Sequence, residues 1–270
     1  MSYTTQNQTL INEVIWEKMI EFMENEDISR RVFPVEFRSE GDSIKIVTEG
    51  QWDDAEEVSE GSEVPIYEPD YSSVTKTYKK IGYRVQITHE MLTDARFDMI
   101  RRGVRKASQK IAQKVSIDVL REAWTNAGLT YTVSGRWGGA YADEITDIAQ
   151  AEGQVRNKNY SPDTIYMNPL DYAHLVPLRL FTEKQMGGNV SKYEIGKQIL
   201  DLEVIVTPWI SENNFLVIDT PEAGVLFIRE DLRRAPYKDV PRDVEGQVFF
   251  MRYTQGVVAP SAICYATGYI

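Results

Sequence analysis

The feature that most restricts the fold of this chain is an acid-rich segment, EGQWDDAEEVSEGSEVPIYEPD, at residues 49–70. It contains nine acidic residues and no basic residue, together with two glycines and two prolines. Burying so many unpaired charges would be far too costly, which excludes this acidic segment from a hydrophobic core. The sequences on its two sides, SIKIVTE and YSSVTKTYKKIGYRVQIT, are typical of β-strands. The sequence therefore predicts a long two-stranded arm with an acidic tip, which is either simply solvated or reaches a partner.

A run of the opposite charge lies in a predicted long helix at about residues 97–124. Apolar residues form one stripe along this helix, as in a helix that packs on a core: Ile100, Val104, Ala107, Ile111, Val115 and Val119. Four basic residues repeat at intervals of four and form a row, called here the basic row: Arg102, Lys106, Lys110 and Lys114. No acidic residue lies between positions 101 and 114, so these like charges repel one another unless an acidic partner lies against them.

The rest of the chain predicts a mixture of helices and strands. A helix with one apolar face is predicted at residues 9–28, a short helix at 143–157, and another that begins at Pro169. Strand-like runs are DTIYMN, LEVIVTP, NFLVIDT, AGVLFIRE, GQVFFMRYTQGVV and SAICYATGYI. The chain is thus predicted to begin with a helix, a long hairpin and a long helix, which are followed by mixed helices and strands. This order is typical of an α+β fold and not of a regular βαβ alternation.

Composition excludes several classes of protein. With 42% hydrophobic residues the chain is expected to be globular, and no run approaches the roughly 18–20 apolar residues of a membrane helix. The N-terminal sequence MSYTTQNQTL lacks the pattern of a signal peptide, so a soluble cytoplasmic protein is expected. Cys264 is the single cysteine, which excludes disulfide scaffolds and cysteine zinc sites and is expected to be a buried thiol. A net charge of −11 disfavours duplex nucleic acid as a partner of the surface as a whole.

No catalytic, cofactor-binding or metal site is predicted. His89 and the glutamate after it begin the zinc-protease signature H-E-x-x-H, but position 93 is threonine, and His174 lies in a different predicted helix. Thr88 is instead predicted to cap the start of a helix. The chain has neither a phosphate-binding G-x-x-x-x-G-K-[ST] nor a G-x-S-x-G motif, and its acidic segment lacks the calcium-loop pattern.

In this order the parts resemble the major capsid proteins of tailed viruses with the HK97 fold, over nearly the whole chain. QITHEMLTDARFDM is similar to the strand and ELL-D entry of that family's spine helix, and SPDTIYMNPLDYAHL to its strand, Asn-Pro and short helix. ILDLEVIVTPWISENNFLVIDTPEAGVLFIRED is similar to its pair of strands with an acidic turn, and VFFMRYTQGVVAPSAICY to its final strand.

The resemblance implies an HK97-like α+β fold with four parts. They are an N-terminal arm and helix at residues 1–35, an E-loop hairpin at 36–90, a P-domain with the spine helix at 91–128 and 219–256, and an A-domain at 129–218 and 257–270. This chain starts directly at the arm, so the resemblance also implies a separate scaffold protein or earlier processing. No motif identifies a lysine–asparagine cross-link, and none is predicted.

The implied function is structural rather than enzymatic, with no cofactor. Subunits are expected to form pentamers and hexamers of an icosahedral shell, which encloses double-stranded DNA without sequence-specific binding. The implied location is the virion capsid, assembled in the host cytoplasm without a membrane, and scaffold, portal and decoration proteins are further candidate partners. An encapsulin nanocompartment shell, which has the same fold, is the alternative; a hydrolase or metal enzyme is a third hypothesis.

The family's E-loop reaches over a neighbouring subunit, which gives the two charge runs a joint interpretation. We predict that the acidic tip of one subunit lies near basic residues of its neighbour, including the basic row. The predicted contact residues are Trp52, Asp53, Asp54, Glu56, Glu57, Arg102, Lys106, Lys110 and Lys114. The competing interpretation is that the basic row faces the enclosed genome.

Overall fold

The computed structural model describes residues 27–38, 40–49, 57–64, 71–88, 97–139, 143–176, 198–242 and 244–268. These residues form two compact units, each drawn from three separate stretches of chain. Unit 1 takes residues from 1–44, 76–120 and 225–255, and unit 2 takes residues from 45–75, 121–224 and 256–270.

Helices and strands are both present in quantity, which confirms the predicted α+β class. In chain order the elements are α1 (Ser29–Val32), β1 (Val35–Phe37), β2 (Ser43–Glu49), β3 (Tyr71–Thr77), β4 (Lys79–Thr88), α2 (Phe97–Thr125), β5 (Leu129–Thr132), α3 (Glu144–Arg156), β6 (Thr164–Met167), α4 (described at 169–176), β7 (Gln198–Ile199), β8 (Leu202–Val206), β9 (Phe215–Ile218), α5 (Thr220–Ala223), β10 (Gly224–Asp239), β11 (Val244–Val257) and β12 (Ile263–Thr267). Single 3-10 turns lie at Val240–Arg242 and Pro260–Ala262.

Unit 1 is built on a four-stranded sheet in the order β1–β10–β11–β4. β1 runs parallel to β10, and β4 runs antiparallel to β11 over ten residue pairs, from Val244 opposite Thr88 to Tyr253 opposite Lys79. Alternate residues on one face of the sheet are fully buried, as expected where only one face packs on a core: Leu226, Ile228, Phe249, Met251 and Tyr253.

The long helix α2 covers this buried face. Its predicted apolar stripe is confirmed at Ala107, Ile111, Val115 and Val119, which are all buried; the side chains of Ile100 and Val104 lie outside the described residues. A hydrogen bond of 2.9 Å from the Tyr253 hydroxyl to Asp118 Oδ2 joins the sheet to the helix. The sheet therefore keeps one face for α2, and its other face is exposed to solvent at Lys80, Arg84 and Arg233.

The arm is shorter than the sequence predicted. β2 and β3 form a two-stranded sheet of their own, but the strand-like run at residues 71–88 does not continue along the arm. It divides at Tyr78, after which β4 pairs with β11 instead of β2. At the foot of the arm, the Tyr78 amide donates to the Asp42 carbonyl at 3.2 Å, and the Asp42 carboxylate pairs with Arg229.

Two other expectations concern the borders of helices. Residues 9–26 of the predicted first helix lie outside the described residues, and Asp27 and Ile28 directly precede α1. Thr88 is the last residue of β4, and residues 89–96 lie outside the described residues, so the cap proposed for Thr88 stays a prediction. The predicted helices at 97–124, 143–157 and Pro169 are confirmed as α2, α3 and α4.

Unit 2 is built on a six-stranded mixed sheet in the order β5–β12–β9–β6–β8–β7. Every residue of the neighbouring strands β6 and β9 is buried, which explains their unbroken apolar sequences TIYM and FLVI. Cys264 is fully buried in this core, as predicted, and burial raises the pKa of its thiol to about 12.

A fully buried carboxylate, Asp147 on α3, organises the chain that follows β5. It accepts hydrogen bonds from the Tyr131 hydroxyl at 3.0 Å, from the Ser134 amide and hydroxyl at 3.0 and 3.1 Å, and from Trp137 Nε1 at 3.0 Å. Four donors satisfy the lone pairs that burial would otherwise leave without partners. Burial, together with the hydrogen bond to Asp147, raises the pKa of Tyr131 to about 12.

A second buried acid, Asp171 on α4, lies in the same network. The Trp137 amide donates to Asn213 Oδ1 at 3.0 Å, and the Asn213 amide donates to Asp171 Oδ2 at 2.8 Å. Burial raises the pKa of Asp171 to about 6; the charge of Glu212 acts in the same direction, whereas the Asn213 amide and His174 oppose it. Because this pKa lies above the ordinary 3.8, the folded state holds the proton more tightly than the unfolded state does.

We expect Asp171→Asn to stabilise unit 2 at pH 7.5 by about 1–3 kcal/mol, since one unit of pKa corresponds to about 1.4 kcal/mol. The proton on Asp171 stabilises the fold fully below the unfolded pKa, and this stabilisation is lost as the pH rises through about 6 and the carboxyl ionises. The difference in free energy of unfolding between the variant and the wild type should therefore vanish near pH 4. Urea unfolding of unassembled subunits at several pH values measures this difference. Glu60→Gln, on an exposed side chain, is the control. A difference that stays constant between pH 4 and 7.5 contradicts the prediction.

Candidate functional site

All residues of the described part of the acidic segment, 57–64, are exposed to solvent. It carries Glu57, Glu60 and Glu63 with no basic residue, and it turns at Gly61, whose φ of +86° is a left-handed conformation that suits glycine. The other predicted contact residues of the arm, Trp52, Asp53, Asp54 and Glu56, lie outside the described residues. Three carboxylates of this segment are thus available to a partner.

The four members of the basic row, Arg102, Lys106, Lys110 and Lys114, are all exposed on α2. They lie away from the buried stripe, as the spacing predicted. The structure therefore places the row on the solvent side of the helix, where it is accessible to an anionic partner.

Two members of the row already have partners within the chain. Lys114 Nζ forms an ion pair of 2.8 Å with Asp118 Oδ1, and Lys110 Nζ donates to Gln113 Oε1 at 2.9 Å. Burial raises the pKa of Asp118, but hydrogen bonds from Lys114 and Tyr253 outweigh burial, so the net pKa is lowered. Among the residues that the structure describes, Arg102 and Lys106 form no ion pair.

The neutralisation of Lys114 was not predicted, because Asp118 lies beyond the acid-free stretch of residues 101–114. The spacing of Lys114 and Asp118, four residues apart on one helix, was the signal that could have identified the pair. The basic row therefore offers a partner the charges of Arg102, Lys106 and Lys110, since a hydrogen bond to the uncharged Gln113 leaves the charge of Lys110 in place.

No cluster of histidine, cysteine, aspartate and glutamate among the described residues could hold a metal ion. His174 is exposed, and its ring lies against Gly138, where an added Cβ would come within 2.4 Å of the ring. His89 lies outside the described residues. None of the described helices is long and apolar enough to span a membrane.

Comparison with protein families decides the assignment. The sequence profile of a family described as phage capsid protein matches residues 70–266, which is more than half of the chain. The chain belongs to the phage capsid protein family. None of the curated protein sequences matches this capsid protein.

Solved structures with the same fold cover nearly the whole capsid protein. The virus-like particle from Pyrococcus furiosus superposes with a TM-score of 0.67 at 16% identity, over 94% of this chain and 98% of that one. The capsid of Cyanophage P-SCSP1u gives 0.65 at 14% identity, over 88% and 86%. Microbacterium phage Oxtober96 gives 0.66 at 14% identity, over 90% and 91%. The predicted HK97-like fold is confirmed.

Family and fold together define the kind of protein. The capsid protein is a shell-forming structural protein of the virion and not an enzyme, as the resemblance implied. Its functional sites are therefore surfaces for other subunits rather than a catalytic cleft.

We expect Lys114→Glu to destabilise the isolated subunit by about 1–2 kcal/mol, because it sets a second carboxylate against the largely buried Asp118. Arg102→Glu makes the same change of charge on the same helix without disturbing an ion pair of the described residues, so its effect should stay within about 0.5 kcal/mol. Thermal unfolding of unassembled subunits compares the two. Equal losses would show that Asp118 does not depend on Lys114.

Proposed function

We propose that this capsid protein assembles into pentamers and hexamers, which close into an icosahedral shell around a double-stranded DNA genome in the host cytoplasm. The observation that supports the proposal is the extent of the structural likeness, because almost the entire chain superposes on almost the entire length of shell-forming proteins. Scaffold, portal and decoration proteins are proposed as further partners on the same basis.

We further propose that the parts of the family fold correspond to the two units. Unit 1, with α2 and the four-stranded sheet, would be the P-domain, and unit 2, with the six-stranded sheet, would be the A-domain. The β2–β3 arm would be the extended part of the E-loop. β4 would belong to the P-domain sheet, since it pairs with β11.

The two charge runs support a proposal about how subunits recognise one another. The acidic segment of one subunit, with Trp52, Asp53, Asp54, Glu56 and Glu57, would lie against basic residues of a neighbour, the basic row among them. One exposed pair contributes only about 0–1 kcal/mol, but a shell repeats the contact many times. The alternative is that the basic row faces the enclosed DNA, whose phosphates would also neutralise Arg102 and Lys106.

An encapsulin-like shell that encloses protein instead of DNA is the second candidate function. This second candidate is supported because the chain is as similar to the virus-like particle from Pyrococcus furiosus as it is to phage structures. Electron microscopy of purified particles, with their nucleic acid and protein content, separates the two. Shells filled with DNA support the first proposal, shells filled with a second protein support the other, and small soluble oligomers contradict both.

Replacing Asp53, Asp54, Glu56 and Glu57 together by lysine is expected to disrupt assembly or to make it less sensitive to salt, since attraction between subunits becomes repulsion. Particle yield by sedimentation at several salt concentrations measures the effect. The matching asparagine and glutamine variant removes the charge without reversing it and should lie between the variant and the wild type. Unchanged yield and unchanged salt dependence would rule out an electrostatic role for the acidic segment.

A further inference from the structure

The solvent face of the four-stranded sheet in unit 1 carries cations stacked on aromatic rings. Lys80 Nζ lies 4.3 Å from the centre of the Phe250 ring, and Arg233 Cζ lies 5.8 Å from the centre of the same ring. Arg84 Cζ lies 4.7 Å from the centre of the Tyr237 ring. These five side chains, from β4, β10 and β11, are called here the cation–aromatic cluster.

The register of β4 and β11 builds the cluster. Lys80, Gly82 and Arg84 alternate along β4, and Gly82 lies directly opposite Phe250. The Phe250 ring lies across this glycine, because a Cβ there would come within 3.0 Å of the ring. Glycine at position 82 thus leaves the space in which the ring is held between Lys80 and Arg233.

The cluster has more positive charge than its own acids neutralise. Arg233 pairs with Glu230 at 2.8 Å, but neither Lys80 nor Arg84 pairs with a carboxylate within the described ranges. With the Gln86 amide oriented to accept, Arg84 donates to it through Nε at 3.2 Å and Nη2 at 3.1 Å, which fixes the guanidinium but leaves its charge in place. Stacking uses the flat face of a guanidinium, so its in-plane N–H groups stay available to carboxylates.

We propose that the cation–aromatic cluster docks the acidic segment of a second copy of this chain. This inference rests on the proposed function, in which copies assemble, and it names the surface that receives the segment. The segment complements the cluster in charge, because it holds nine acidic residues without a base and exposes Glu57, Glu60 and Glu63.

The location of the cluster also bears on the basic row. α2 packs on the opposite face of the sheet, where Tyr253 meets Asp118, so the cluster and the row point to different sides of unit 1. An acidic segment bound to the cluster therefore leaves Arg102 and Lys106 for the enclosed DNA. In that arrangement the basic row would face the enclosed DNA and not the acidic segment of a neighbour.

The first experiment measures binding to the unassembled full-length subunit. The probe is a fluorescent peptide with the sequence of residues 49–70, followed by anisotropy at several salt concentrations. We expect the triple variant Lys80→Glu, Arg84→Glu, Arg233→Glu to bind at least ten-fold more weakly, and Lys80→Gln, Arg84→Gln to give a smaller loss without new repulsion. The control, Arg102→Glu, Lys106→Glu, Lys110→Glu, changes the net charge of the chain equally and should bind the peptide as the wild type does.

The second experiment tests whether the contact joins two copies. One chain carries the triple cluster reversal, and the other carries Glu57→Lys, Glu60→Lys, Glu63→Lys. Each chain alone should assemble less well than the wild type, because the contact loses its charge complementarity. An equal mixture should recover part of the particle yield, since neighbours of different kind bring an arm and a cluster of opposite charge together, although a ring of five subunits keeps at least one like-charged contact. Thermal unfolding of each chain verifies that the subunits are folded.

Three results would overturn the inference. They are full peptide binding by both cluster variants, loss of peptide binding in the row control instead, or a mixture that assembles no better than its parts. Cluster variants that lose affinity for a short DNA duplex but not for the peptide would also overturn it and assign the surface to nucleic acid. Failure of the wild type to form shells contradicts the proposed function separately, because the peptide experiment does not require assembly.

Discussion

Unit 1 depends on the packing of α2 against one face of the four-stranded sheet. The helix has a single apolar stripe, and the sheet buries alternate residues on one side only, so the two elements bury each other's hydrophobic surface. Asp118 lies at this contact, where it joins Lys114 of the helix to Tyr253 of the sheet. Because these two apolar surfaces cover each other, the outward side of α2 carries the basic row and the outward face of the sheet carries the cation–aromatic cluster.

Charge is therefore separated within a chain that is strongly acidic as a whole. The net charge of −11 suggests uniform repulsion between copies, yet the acidic segment holds nine acidic residues without a base, whereas the basic row and the cation–aromatic cluster carry cationic side chains on unit 1. In the proposed contact between copies, such a distribution would disfavour random association of subunits and favour one arrangement in which unlike surfaces meet. This charge complementarity would contribute more to the choice of partner than to affinity, since each exposed ion pair is weak.

Local patterns in the sequence predicted local structure well. The spacing of apolar residues gave α2 and its buried face, and Asn168 followed by Pro169 marked the start of α4, where Asn168 Oδ1 accepts from the Leu170 amide at 2.9 Å. Partner strands could not be predicted in the same way. Strand character continues on both sides of Tyr78, so nothing local distinguishes the strand that stays in the arm from the one that joins β11. The cation–aromatic cluster was missed for the same reason, because its members come from three strands far apart in the sequence.

The three-segment construction of each unit has a consequence for synthesis of the chain. β1, at Val35–Phe37, pairs with β10, which begins at Gly224. β4 pairs with β11, which ends at Val257. Neither unit can close before most of the polypeptide has left the ribosome, because contacts so distant along the chain form late and slowly. The acidic segment is thus synthesised well before β10 and β11, the strands that complete the four-stranded sheet. Any surface built on the four-stranded sheet of unit 1, including the cation–aromatic cluster, is therefore complete only when nearly the whole chain has been synthesised.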